Sequence, residues 1–252
     1  MGLLFRTRQP APLPEHLDLS LGDRTVPVRL RANARARRYT LRVGRAGGEP
    51  VVTIPAGGSL GGARSFLERN RLWLKRRLEA RPPGKPFAAD AVIPLRGTDH
   101  VVVHRPARRG TVMVESGPEL PCLCVCGGAE HLSRRLIDWL KREAKGDLDR
   151  AVFRYSAMIG RKPTVIRLRD QKGRWGSCSS AGTLSFSWRL ILAPPMVLDY
   201  LAAHEVTHLA EMNHSPRFWR LLRRICPDTD RAEAWLKAHG STLHAFGVEE
   251  AG

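Results

Sequence analysis

The stretch LAAHEVTHLAEMNHSPRFW, Leu201–Trp219, is the part of the sequence that decides the fold of the second half of the chain. It contains three of the chain's nine histidines, and a glutamate directly follows the first of them. His204 and His208 stand four residues apart, and the preceding PMVLDYLAA is typical helical sequence. Because residues four apart share one face of a helix, both imidazoles can reach a single point.

This spacing predicts a Zn²⁺ site. Zinc binds neutral imidazole nitrogens in a tetrahedral shell, and two histidines of one helix supply half of that shell. Glu205 is rotated by about 100° from His204 around the helix, so its carboxylate should point beside the ion. There it can accept a proton from water that the ion has made acidic. We therefore predict that Glu205 is the general base of a hydrolase.

A third ligand is expected from the residues after the helix. His214 follows His208 by six residues. Ser215 is a suitable cap for a further helix, and Pro216 suits that helix's first position. Asn213 tolerates the left-handed backbone that reverses a chain after a helix. His214 is therefore predicted to lie in a tight turn and to complete a three-histidine site with one open position.

Two further residues are alternative ligands. The spacing has the length of the H-E-x-x-H-x-x-G-x-x-H zinc proteases, but Glu211 stands at their glycine position. Glu233, in the later segment DRAEAWLKAHG, is an alternative third ligand, as in zinc proteases of the glutamate-ligand type. Cys178 could be a fourth ligand that closes the shell, although a small buried residue is the simpler interpretation.

The pattern of strands and helices predicts an α+β protein. Residues 1–17 are proline-rich and are predicted to be a flexible arm. Residues 18–130 are predicted to form a β-rich domain with one helix, which begins after the cap Ser59 and ends at about residue 80. Residues 131–252 are predicted to form a domain with a small sheet and the helix of the histidine motif.

The chain is strongly basic, with a formal net charge of +18. Residues 1–130 carry 22 Lys and Arg against 11 Asp and Glu, and residues 131–252 carry 20 against 13. Such a surface attracts polyanions, so nucleic acid is a possible partner. The five cysteines are an odd number and do not indicate a disulfide framework. The alternating cysteines of CLCVC (122–126) are predicted to be small buried residues on one face of a strand.

No membrane segment is expected, because no apolar run approaches the length that spans a bilayer. The N-terminal stretch has neither the apolar core nor the cleavage site of a signal peptide, and a cytoplasmic location is predicted. The sequence does not indicate an oligomeric state.

Residues 174–219, from RWGSCSS through TLSFSWRL to NHSPRFW, resemble the YgjP-like family of zinc metallopeptidases, which is related to SprT-type and minimal gluzincin domains. The resemblance implies zinc held by His204, His208 and His214, with Glu205 as base and a peptide or protein as substrate. It also implies a zincin-like domain in which a sheet edge lies beside the metal. The strand 183–192 is the candidate for that edge, where an extended substrate would pair.

Two other functions stay open. A metal-dependent nucleotide phosphohydrolase would use the many arginines for phosphate, although the carboxylate-rich shell of magnesium enzymes is missing. A basic nucleic-acid-binding module would hold a structural zinc in a closed four-ligand shell. Arg189 either faces the cleft or is a solvated charge. Trp175, Trp188 and Trp219 are interpreted as core residues, and His239 and His244 as surface residues.

Overall fold

A computed structural model describes residues 13–44, 48–80, 83–171 and 173–248 of the chain. These residues form two compact units, one within residues 1–44 and 48–81 and the other within 82–252. The boundary expected near residue 130 falls inside the second unit, where Leu123 and Val125 share one hydrophobic core with Leu136 and Leu140. The mixture of small sheets and helices confirms the predicted α+β class.

The first unit is a four-stranded sheet packed against two helices. Its strands are β1 (His16–Ser20), β2 (Thr25–Ala32), β3 (Thr40–Val43) and β4 (Pro50–Ile54), and they lie in the order β1-β2-β4-β3. β2 and β4 run parallel, and the other two pairs are antiparallel. Residues 1–12 of the expected arm lie outside the described residues, and residues 16–17 belong to β1.

The single helix expected between residues 59 and 80 is two helices, α1 (Leu60–Arg69) and α2 (Arg71–Glu79). The predicted cap is confirmed, since the Ser59 side chain accepts a hydrogen bond from the backbone N–H of Gly62 at 3.0 Å. Asn70 separates the helices, with φ −103° and ψ 10°. Its side chain donates to the carbonyl of Phe66 at 2.7 Å, a local bond that competes with continuous helix.

The second unit begins with another four-stranded sheet, which packs on a long helix. The strands are β5 (Val92–Leu95), β6 (Thr98–Arg105), β7 (Val112–Glu115) and β8 (Cys122–Cys126), in the order β5-β6-β8-β7. All five cysteines of the chain are free, and Cys124 and Cys126 are buried. The helix α3 (Leu132–Ile159) runs unbroken through Gly146, with its stripe of leucines in the core.

A three-stranded sheet and three helices complete this unit. The strands β9 (Val165–Arg169), β10 (Gly176–Cys178) and β11 (Thr183–Ser187) lie in the order β10-β11-β9. A 3₁₀ turn (Trp188–Leu192) leads to α4 (Pro195–Thr207), which is followed by α5 (Pro216–Ile225) and α6 (Thr229–Leu243). No helix within the described ranges combines the length and the apolar character needed to cross a membrane.

The expectation that residues 183–192 form an edge strand is wrong in two respects. The strand ends at Ser187, where the chain enters the 3₁₀ turn. β11 is also the central strand, antiparallel to β10 and parallel to β9, so its backbone groups are paired on both sides. The edge that lies beside α4 is β10 instead: an ideal Cβ at Gly176 would come within 2.4 Å of Glu205 Oε1.

Candidate metal centre

The helix α4 carries the first two histidines and the glutamate of the motif. Pro195 occupies the first turn, where its missing N–H costs no hydrogen bond, and His208 is the C-cap. Nine of the thirteen residues of α4 are buried, including Ala203 and Val206 beside the motif residues His204 and Glu205. The helix is therefore held rigidly in the core, and the spacing of four residues turns His204 and His208 to the same side.

The turn after α4 brings the third histidine back to the first two. Ser215 caps α5 by accepting a hydrogen bond from Phe218 N at 3.4 Å, and Pro216 follows it, as predicted. The Nε2 atoms of His214 and His204 are 3.1 Å apart. One nitrogen from each of the three imidazoles lies within 4.8 Å of the others.

The expected left-handed conformation at Asn213 is not found. Among the non-glycine residues that the structure describes, only Asp90 and Arg96 have positive φ. The reversal is made instead by a turn in which Ser215 N donates to Asn213 O at 2.7 Å.

Aromatic side chains from α5 pack against the three imidazoles. The ring of Phe218, which is fully buried, lies 4.6 Å from that of His208 and 4.7 Å from that of His214. The Trp219 ring is 5.8 Å from that of His214. The position of α5 therefore determines where the His214 ring lies relative to α4.

Hydrogen bonds at the Nδ1 atoms fix the orientation of two rings. His208 Nδ1 lies 3.1 Å from the carbonyl oxygen of Glu211, to which it can only donate. His204 Nδ1 lies 3.4 Å from the hydroxyl of Tyr200, one helical turn earlier. In His208 the proton held on Nδ1 leaves Nε2 with a free lone pair, which is the arrangement of metal-ligating histidines, and the Tyr200 hydroxyl can accept the same proton from Nδ1 of His204.

Burial favours the neutral form of two of these imidazoles, those of His204 and His208. It lowers the pKa of His204 to about 3, with smaller contributions from His208 and His214. Burial also lowers the pKa of His208, although its hydrogen bond to Glu211 acts in the opposite direction. Neutral imidazole is the form that binds zinc, so the three convergent rings, two of them kept neutral by burial, fit a divalent metal ion.

Glu205 lies beside the cluster in an unusual environment for a carboxylate. The side chain is only 4% exposed, and its Oε2 has no hydrogen-bond partner. Burial raises the pKa of Glu205 to about 8, and Arg174 lowers it only in part. Gly176 of β10 is the neighbour that makes room for it, because any larger residue there would collide with the carboxylate.

The alternative ligands do not join the cluster. Among the described residues, the group that could hold a metal ion consists of His204, His208 and His214. Glu233 is paired with Lys237 at 2.9 Å. Burial, followed by the charge of Glu205, raises the pKa of Cys178 to about 11, so its thiol remains protonated.

Two interpretations of single residues need correction. Arg189 is buried, at 8% exposure, and neither faces the cleft nor is solvated: it binds Asp170 and the carbonyls of Leu243 and Phe246. His244 is also buried, and its ring stacks on that of Trp175 at 4.6 Å. His239 is exposed, as expected, and the three tryptophans interpreted as core residues are buried or pack against the core.

Sequence reasoning missed two residues of the site. Tyr200 stands four residues before His204, so helical spacing alone places it on the same face. Gly176 carried a weaker signal, since an isolated glycine in a strand indicates a close approach of another group. Nothing local indicated that this group would be Glu205, which is 29 residues later in the chain.

A sheet beside a helix with two histidines, and a third histidine in the next turn, is the arrangement expected of the metallopeptidase class. The chain belongs to the YgjP-like family: the family model described as "YgjP-like, metallopeptidase domain" matches residues 37–239. At family level it is therefore a metal-dependent peptidase. The match covers most of the second compact unit and about half of the first, where it begins after β2.

Among solved structures, the chain is similar to the metallopeptidase zymogen of Pyrococcus abyssi abylysin. The identity is 22%, the alignment covers 40% of this chain and 99% of that one, and the TM-score is 0.34. A score this low carries no argument about the present chain. No curated protein sequence matches the chain.

Proposed function

We propose that this chain is a zinc-dependent peptidase that cleaves peptide bonds, with His204, His208 and His214 as the metal ligands and Glu205 as the general base. The observation that carries the proposal is the convergence of one nitrogen from each of three imidazoles within 4.8 Å of the others, beside a buried carboxylate. Family membership supports a metal-dependent peptidase, and a peptide or protein is the substrate class that follows from it.

The residues divide the chemistry between them. Zinc would supply Lewis-acid character, polarising a carbonyl and allowing water to ionise near neutral pH. The carboxylate of Glu205 takes the proton of the attacking water and later gives it to the leaving amine. Burial raises the basicity of Glu205, which makes it a stronger proton acceptor than a solvated carboxylate. Tyr200 and the Glu211 carbonyl keep two ligand rings oriented.

Replacing Glu205 tests the role of the base separately from metal binding. The variant Glu205→Gln should bind one zinc per chain, as the wild type does, and lose about 10²- to 10⁴-fold in turnover. Zinc content is measured by mass spectrometry of the metal-loaded protein, and turnover with casein and peptide libraries. Full activity in this variant would refute the assignment of Glu205.

His214→Ala is the matched variant for metal binding. It should lose most of its zinc affinity, because one of three ligands disappears, whereas Glu233→Ala should retain zinc. Loss of zinc in Glu233→Ala with retention in His214→Ala would instead identify the glutamate as the third ligand.

The substrate panel also decides between the peptidase and the phosphohydrolase. Nucleoside triphosphates are assayed beside casein, each with and without a chelator. Chelator-sensitive cleavage of peptides supports the proposal, and chelator-sensitive release of phosphate or pyrophosphate without peptide cleavage contradicts it. A structural zinc would show four protein ligands in X-ray absorption, including sulfur if Cys178 contributed.

A further inference from the structure

The first compact unit carries far more positive than negative charge. Its described residues contain thirteen Lys and Arg against six Asp and Glu, a net charge of +7. Within those residues, only Arg29 and Lys75 of the thirteen make an ion pair with a carboxylate. Most of the guanidinium groups of this unit therefore remain available to an external anion.

One face of α2 combines this charge with exposed apolar surface. Leu72 is 66% exposed and Trp73 is 49% exposed, although both are large apolar side chains. At about 100° per residue, Arg76 and Arg77 fall on either side of Trp73 around the helix axis. Both arginines are exposed, and neither has an ion pair with a described residue. We call these four residues the α2 face.

The core does not require this arrangement. Leu74 is fully buried and Leu78 partly buried on the opposite side of α2, and these two residues anchor the helix to the sheet. Lys75 pairs with Asp23 and Glu79 away from the α2 face. Leu72 and Trp73 belong neither to the hydrophobic cluster of this unit nor to the residues packed against it.

We infer that the α2 face is a binding surface for single-stranded nucleic acid. Arginines on both sides of an indole suit a partner that alternates negative charge with flat apolar groups. A single strand offers both, as phosphates and unstacked bases, and aromatic stacking between cationic side chains is how such strands are bound without sequence preference. In a duplex the bases are stacked inside, so the indole would gain nothing there.

Two other polyanions fit the α2 face less well. An acidic peptide would neutralise the arginines but would leave the indole without a flat partner. An anionic membrane needs a helix with an extended apolar face, whereas α2 has nine residues and exposes two apolar side chains between arginines. The inference does not depend on the metal centre, which lies in the other compact unit.

Fluorescence anisotropy of a labelled 20-nucleotide oligothymidylate tests the inference with the full chain. Wild type should bind the single strand at least tenfold more tightly than a duplex of the same length. Trp73→Ala should weaken binding about tenfold without changing its salt dependence, and Trp73→Phe should restore most of it. Arg76→Ala/Arg77→Ala should weaken binding and reduce the slope of log K against log salt by about 1.4.

The matched control removes the same charge elsewhere. Arg134→Ala/Lys141→Ala changes two exposed cations of α3 and should leave the binding within about twofold of wild type. Circular dichroism checks that every variant is folded. The inference is overturned if the control weakens binding as much as the α2 variants do, or if Trp73→Ala binds like wild type. Equal competition by polyglutamate, or tighter binding to vesicles with anionic lipid, would overturn it as well.

Discussion

Two buried side chains of the second compact unit, Arg189 and Glu205, differ in how their polar atoms are paired. Around Arg189, the guanidinium donates to Asp170 Oδ1 at 2.7 Å and Oδ2 at 3.2 Å, and to the carbonyls of Leu243 at 3.2 Å and Phe246 at 2.5 Å. Around Glu205, an equally buried carboxylate retains an oxygen without a partner. The buried guanidinium that joins parts of the fold makes four hydrogen bonds, whereas the buried carboxyl group at the candidate site keeps one oxygen without a partner.

The Arg189 side chain fastens the C-terminal segment to the rest of the unit. Arg189 follows β11, while Leu243 and Phe246 end and follow α6, so one side chain joins segments more than fifty residues apart. Asp170 supplies the opposing charge from the end of β9. These contacts therefore act on stability, and changes here should leave the chemistry untouched.

Arg189→Met should give the largest effect on stability. The substitution leaves two carbonyls without their donor and removes the ion pair with the half-exposed carboxylate of Asp170, and we expect a loss of about 3 kcal/mol in the free energy of unfolding. Urea denaturation followed by tryptophan fluorescence measures it. Arg220→Met, at an exposed position of α5, should change stability by less than about 0.5 kcal/mol. If both substitutions lowered stability equally, the hydrogen bonds of Arg189 would have no special role in stability.

Gly176→Ala should disturb Glu205 by filling the space beside its carboxylate. The new Cβ would lie 2.4 Å from Glu205 Oε1 and 2.8 Å from its Cγ, so the buried side chain must shift. We expect a loss of about 1–3 kcal/mol in stability and at least tenfold in peptidase turnover. Gly173→Ala is the control, because nothing lies within 4 Å of its Cβ position. Unchanged turnover in Gly176→Ala would show that Glu205 needs no defined position.

Tyr200→Phe should have the smallest effect of the three substitutions, and this effect should be limited to metal binding. Removing the hydroxyl frees the His204 ring to reorient, and zinc affinity should fall about 10- to 100-fold. A chromophoric zinc chelator in competition measures this affinity. Tyr155→Phe removes another buried hydroxyl, one bonded to Asp199, and should lower stability without changing zinc affinity. If both variants bind zinc like the wild type, Tyr200 has no role in orienting His204.

The histidine cluster could be predicted because its information is local. His204 and His208 follow from helical spacing, and the capping pair Ser215-Pro216 places His214 in the turn between two helices. Each of these signals involves residues within about ten positions of one another. The three-histidine geometry of the structure agrees with that prediction, and metal binding itself stays a proposal.

What could not be predicted depends on pairing over long distances. Alternation in residues 183–187 indicates a strand, but it does not show that β11 has a neighbour on both sides. The burial of Arg189 depends on partners 19, 54 and 57 residues away, and an isolated arginine after a strand carries no sign of them. His244 is buried because its ring meets Trp175, 69 residues earlier.

The shortness of β10 limits what can bind along it. Trp175 O and Ser179 N are hydrogen-bonded to β11, so in this antiparallel ladder the backbone groups of Gly176 and Cys178 point the other way, toward the open edge. An extended chain aligned there would meet the amides and carbonyls of these two residues, one of which touches Glu205. Such pairing involves the backbone groups of two residues and does not depend on the side chains of the bound chain. Selectivity among polypeptides would therefore have to come from surfaces farther from the scissile bond.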